Sequence, residues 1–177
     1  HLINHCHHNL GMVRERHNTV LERIIRAIPP SLGDVYKEQP LPNTNGANRP
    51  DLTIISPDQR SVILLDVSIP FEGHPQALQE AAQLKLDKYE PLRSQLLQRY
   101  EAVEVLPFIV GSLGSWFPDN DAVLRRLHIG RKYSCLMRKL CVVSAISGSQ
   151  NIWFRSACSR VGTNIPASAP DSVPIPG

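Results

Sequence analysis

Arg49-Pro50-Asp51-Leu52-Thr53-Ile54-Ile55, Ser56-Pro57-Asp58-Gln59-Arg60 and Ser61-Val62-Ile63-Leu64-Leu65-Asp66-Val67 follow one another without a break. Two apolar, β-branched runs flank a polar five-residue turn with Pro and Asp, which is the pattern of a β-hairpin. A turn centred between Asp58 and Gln59 sets the register. Ile55 then faces Val62, Thr53 faces Leu64, and Asp51 faces Asp66. Directly opposed side chains on one sheet face have Cβ atoms about 4.5–5.5 Å apart. A slip of one residue would send the two carboxylates to opposite faces. Two acids so close repel unless a proton or cation lies between them. A divalent ion that prefers oxygen ligands suits the pair, magnesium first and manganese in its place. The alternative is structural: Asp51 caps a strand end and Asp66 is solvated at a strand mouth.

Working outward, the second run is apolar on both faces apart from Asp66, as in a central strand covered on both sides. Pro70 and Gly73 mark its exit from the sheet, and Glu72 beside them is a candidate third carboxylate for the metal. Pro75 to Glu90 has helical periodicity, with Pro75 suited to a first turn. Leu78, Ala81, Ala82, Tyr89 and Leu92 share a face. Lys85 falls in the middle of that face and Lys88 on its edge. An ammonium turned toward the core meets anionic partners or runs its stem out to water. The Asp51–Asp66 pair would be such a partner. Pro91 is expected to kink or restart the helix, with Leu92 to Tyr100 continuing it. Glu101 to Val110 reads as a buried strand, so the unit is β-α-β with parallel pairing. The expected architecture is α/β: a mixed central sheet with a β-hairpin, flanked by helices, and a helical C-terminal part.

Toward the N-terminus, Gly11 to Ile28 reads as an amphipathic helix ended by Pro29-Pro30. Arg14, Arg16, His17, Arg23 and Arg26 lie off its apolar stripe and form a face suited to a phosphate backbone or to water. Residues 31–48 read as a loop rich in Gly, Pro and Asn. Arg49 can pair with Asp51 or meet a phosphate. His1 and Cys6 have the His-x4-Cys spacing of half a zinc knuckle, a site that would need two further Cys ligands upstream. The chain opens without Met and reads as a piece of a longer polypeptide. Toward the C-terminus, Asp119–Leu127 reads as helical. Arg131–Ser147 and Ser149–Ala157 read as two helices separated at Gly148. The stretch 161–177 has no periodicity and reads as a disordered tail.

Composition narrows the function classes. With 42% hydrophobic and 20% charged residues the chain is of the globular class. A net charge of +3 mildly favours a polyanionic partner. No apolar run approaches a membrane span of about 20 residues, and no secretory signal is visible. Four cysteines without paired spacing argue for a reducing compartment. Two strand acids, a divalent ion and a lysine make a phosphodiester hydrolysis site, in which the ion acidifies a water and the lysine offsets developing charge.

These residues resemble a family. Pro50-Asp51, then Asp66, then a lysine is the pattern of PD-(D/E)XK nucleases, although the position two residues after the second acid holds Ser68. His1-x4-Cys6, Arg14-Glu15-Arg16-His17-Asn18, Arg49-Pro50-Asp51, Asp66-Val67-Ser68-Ile69-Pro70-Phe71-Glu72 and Lys85-x2-Lys88-Tyr89 occur in that order. As an ordered set over residues 1–160 this is similar to the restriction-like endonuclease of site-specific non-LTR retrotransposons, in which the lysine has moved to the following helix. The resemblance implies a domain at the C-terminal end of a polyprotein, after a reverse transcriptase and a CCHC knuckle. Such domains nick double-stranded target DNA in the nucleus to prime reverse transcription of the element RNA. It makes Asp51 and Asp66 the metal-binding catalytic acids, Lys85 or Lys88 the moved lysine, and Tyr89 its neighbour. Arg14, Arg16, His17, Arg49 and Tyr89 are the substrate-binding candidates. Residues 1–10 are then the end of the knuckle, with His1 and Cys6 as zinc ligands, and 11–160 the nuclease. A catalytically silent nucleic-acid-binding or structural domain derived from such an enzyme is the alternative.

Overall fold

A computed structural model describes residues 3–4, 9–39 and 49–161. His1, Cys6 and the stretch from 162 onward, read above as zinc ligands and as tail, lie outside the described residues. The elements in chain order are α1 (Leu10–Ala27), a 3-10 turn (Pro30–Leu32), β1 (Asp34–Lys37), β2 (Leu52–Ile55), β3 (Ser61–Ser68), α2 (Ala77–Leu96), β4 (Ala102–Ile109), α3 (Asn120–Arg126) and α4 (Arg131–Val161). The four strands form one mixed sheet in the order β1-β2-β3-β4.

The hairpin has the register its turn requires. Thr53 pairs with Leu64 and Ile55 with Val62, antiparallel. β3 pairs with β4 in parallel across the α2 crossover, with Asp66 beside Pro107. Period-two alternation then sends side chains to two separate cores. Leu52, Ile54, Ile63, Leu65 and Val67 pack with α1, α3 and α4. Ile55, Val62 and Leu64 pack with Tyr89, Leu92 and Leu96 of α2. β3 is thus covered on both faces, as its unbroken apolar sequence demands.

Three elements differ from the sequence expectation. The loop expected over 31–48 contains β1. This is an edge strand whose residues are mostly exposed, so it carries no apolar alternation to read. α2 passes through Pro91 without restarting and ends at Leu96, with Pro75 two residues before it rather than in its first turn. Pro91 and Asp87, the residue whose carbonyl it deprives of a donor, are both exposed. Tyr89, Leu92 and Leu96 hold the flanking turns against the sheet. Finally, α4 is one helix of 31 residues that continues through Gly148. A Cβ at 148 would come within 2.6 Å of the Arg16 side chain. The glycine marks a close approach of α1 to α4, not a break.

Candidate active site

The hairpin ends at Leu52, one residue short of Asp51, so the next rung of the ladder is built from a side chain. Asp51 Oδ2 accepts the Val67 amide at 2.7 Å. This fixes the carboxylate against the strand that carries Asp66. The same oxygen lies 3.0 Å from His17 Nε2, from α1. His17 Nδ1 lies 3.2 Å from Asn18 Oδ1, so the ring, when protonated, donates to both oxygens. Burial works against that charge, but the hydrogen bond and negative charge of Asp51 prevail and hold the His17 pKa above its ordinary value.

Asp66 is buried, 3% exposed, on the α2 side of β3. The Lys85 ammonium stands 2.5 Å from its Oδ1. That oxygen nevertheless receives no well-directed hydrogen bond. The Tyr89 hydroxyl gives its one proton to Oδ2. The same hydroxyl accepts from the Lys88 ammonium at 2.7 Å and lies 2.9 Å from the Arg49 carbonyl. Burial, followed by the hydrogen bond and charge of Asp66, pushes the Tyr89 pKa upward, so Tyr89 stays a donor. Lys88 lies farther from Asp66, at 3.9 Å from Oδ2, and is the more exposed of the two lysines.

Asp51, Asp66, Lys85, Lys88, His17 and Arg49 therefore line one cleft of about 600 Å³. Tyr89 lies beneath it. Arg49 is exposed at the rim and makes no ion pair among the described residues. Arg14 is exposed on the outer side of α1, away from this cleft, with Arg23 and Arg26. Arg16 departs from the expected basic face. It is 3% exposed. Its guanidinium donates to Ser149 Oγ at 2.6 Å and to Asn4 Oδ1 at 2.8 Å. Burial pushes its pKa down to about 10, against the opposing charge of Glu72. The residue pins α1 to α4, because its stem fits over Gly148. Glu72, the candidate third metal carboxylate, is also committed elsewhere. It accepts the amides of Leu113 at 2.8 Å and Ser115 at 2.9 Å and caps the loop after β4. Glu22 on α1 pairs with Lys37 of β1 at 2.5 Å.

Among the described residues no three His, Cys, Asp or Glu side chains converge to hold a metal. Asp51 and Asp66 are oxygen donors of the kind a hard divalent ion takes, and an ion at Asp66 Oδ1 would have to displace the Lys85 ammonium 2.5 Å from it. Sequence reasoning did not find the Val67 amide or the His17 contact to Asp51. Neither has a local signal, since both depend on where α1 and the strand end meet.

No family model matches the chain. Over 121 residues, 66% of its length, it is 30% identical to the "Retrovirus-related Pol polyprotein from type-2 retrotransposable element R2DM" of Drosophila melanogaster. The matched stretch is 11% of that polyprotein, so the chain spans a small part of its relative. No helix among the described residues is long and apolar enough to cross a membrane. The similarity supports a retrotransposon origin for this chain.

Proposed function

We propose that the chain is a magnesium-dependent DNA endonuclease domain of a non-LTR retrotransposon polyprotein, nicking double-stranded target DNA to prime reverse transcription. One observation carries the reading: Asp51, just before β2, and Asp66, in β3, line one cleft with an ammonium 2.5 Å from the buried Asp66. The Drosophila relative is named as a retrotransposable-element polyprotein, the setting this reading assumes. Residues 11–160 would be the nuclease. Work on chromosomal DNA would place it in the nucleus, with the element RNA reaching it through the rest of the polyprotein. Zinc would require Cys ligands upstream of His1 and Cys6.

Asp51 and Asp66 would hold the ion, magnesium or manganese. When bound, the ion offers a Lewis acid to the phosphate and makes a neighbouring water more acidic. The protein groups supply the rest. The Val67 amide and His17 hold Asp51 in one orientation. Tyr89 holds Asp66 by its Oδ2, and Oδ1 faces the Lys85 ammonium, which would move aside for the ion. Lys85 sets a positive charge where the pentavalent phosphate gathers negative charge. Arg49 at the rim is available for a flanking phosphate.

Nicking of supercoiled plasmid by the 177-residue chain tests this. Activity is expected with magnesium or manganese and none with EDTA. Asp66→Asn and Asp51→Asn should each lower the rate about 100-fold or more, as expected for removing a metal ligand. Magnesium should also raise the melting temperature of the native chain, and not that of Asp51→Asn. DNA binding without cleavage under any divalent ion would leave the silent binding domain as the better description.

A further inference from the structure

A second cleft, of about 680 Å³, opens where α3 meets the start of α4, and Arg125, Arg131 and Arg138 line it. It is separate from the acids and lysines described above. All three arginines are exposed. None of them forms an ion pair among the described residues. α4 has no acidic residue anywhere in its 31. Asp121 is the one carboxylate lining the cleft, and it accepts the Trp116 indole N–H at 3.1 Å. Trp116 packs edge-on against the fully buried Phe108 with centroids 5.5 Å apart. The Arg138 guanidinium lies 5.7 Å over the Trp116 ring. One guanidinium is therefore mounted on an aromatic support anchored in the core, which lowers the entropy it would lose on meeting a ligand.

We propose that this α3–α4 corner is a second contact for duplex DNA, binding its phosphate backbone outside the catalytic cleft. The proposal rests on the nuclease reading only for the choice of DNA as the polyanion. Guanidinium groups take phosphates by paired N–H donors. Arg131 and Arg138 stand two helical turns apart, about 10 Å along α4. That spacing exceeds one phosphate group and suits separate phosphates of a long backbone. Single-strand sites stack bases on open aromatic faces. No aromatic side chain lines this cleft, and Trp116 is already covered by Arg138. The corner is also tied to the catalytic end of the sheet. The loop that brings in Trp116 starts at Val110, whose amide bonds the Ser68 carbonyl at 3.1 Å, two residues past Asp66.

The test is fluorescence anisotropy of a labelled duplex of about 30 base pairs in EDTA, long enough to reach both clefts. It compares the wild-type chain with the triple variant Arg125→Ala, Arg131→Ala, Arg138→Ala over a salt series. Removing three phosphate contacts should lower the slope of log K against log salt by about 2 to 3. Affinity at low salt should fall with it, while the melting temperature stays put because all three side chains are exposed. A folded triple variant with the wild-type slope and affinity overturns the proposal. So does a wild-type preference for single-stranded RNA that the same variant erases. Nicking is read separately. A chain that never nicks, yet loses duplex affinity in the triple variant, sinks the nuclease reading and keeps this surface.

Discussion

Lys85 and Lys88 are three residues apart on one helix, yet their surroundings divide the work between them. Lys85 reaches Asp66 Oδ1 directly and is largely covered, whereas Lys88 leans on the Tyr89 ring and hydroxyl. Under the nuclease reading, Lys85→Ala should cost about 100-fold in nicking rate and Lys88→Ala about tenfold or less. Plasmid nicking under single-turnover conditions measures both, and the reverse order would reassign the role to Lys88. A second residue-scale outcome concerns Cys141, fully buried in the α1–α4 core. Burial pushes its thiol up to about 12, the charge of Arg23 opposing. A folded-state pKa above the unfolded one means the thiol favours folding below about pH 9 and loses that contribution as pH rises toward 12. At pH 9 iodoacetamide should therefore spare Cys141 in the native chain and modify it in urea, with the exposed Cys135 as the internal control. Peptide mapping reads the difference.

At the scale of elements, the contacts between helices decide what their sequences leave open. Gly→Ala inside an exposed helix gains about 1 kcal/mol from propensity. Gly148→Ala should do the opposite, because the new methyl group meets the Arg16 stem at 2.6 to 3.0 Å. A net loss of about 1 to 3 kcal/mol is expected from overpacking, read as a lower midpoint in urea. A gain in stability would show that α1 and α4 are not in this close contact. Gly33 has φ of +138° as the chain enters β1, and a Cβ there would overlap the Ile55 carbonyl. Gly33→Ala should cost about 2 kcal/mol or more and loosen the edge strand, measurable as faster amide exchange in β1.

For the molecule as a whole, β3 is shared between two cores, so neither layer can melt alone. Leu65 belongs to the core with α1, α3 and α4, and Leu64 to the core with α2. Both are fully buried. Leu64→Ala and Leu65→Ala should each cost about 2 to 5 kcal/mol. Each should move the far-UV and near-UV transitions together, as a two-state domain requires. Separate transitions in either variant would mean that the two faces fold independently.

The hairpin register, the parallel β3–β4 pairing and the helical α2 were legible because strand alternation and helical period are local properties of the chain. From them followed the expectation that Asp51 and Asp66 lie at one end of neighbouring strands, where they line one cleft, and that Lys85 turns toward them, where it meets Asp66. The exposed β1, the unbroken α4 and the commitment of Arg16 and Glu72 to internal contacts were not legible. Each depends on which distant segment lies alongside: Ile55 beside Gly33, Arg16 over Gly148, the 111–115 loop around Glu72. Sequence fixes what each segment can bury. Which charged groups are covered, and which stay open to a ligand, is decided when the layers close, because desolvation acts on the packed assembly and not on the strand or helix alone.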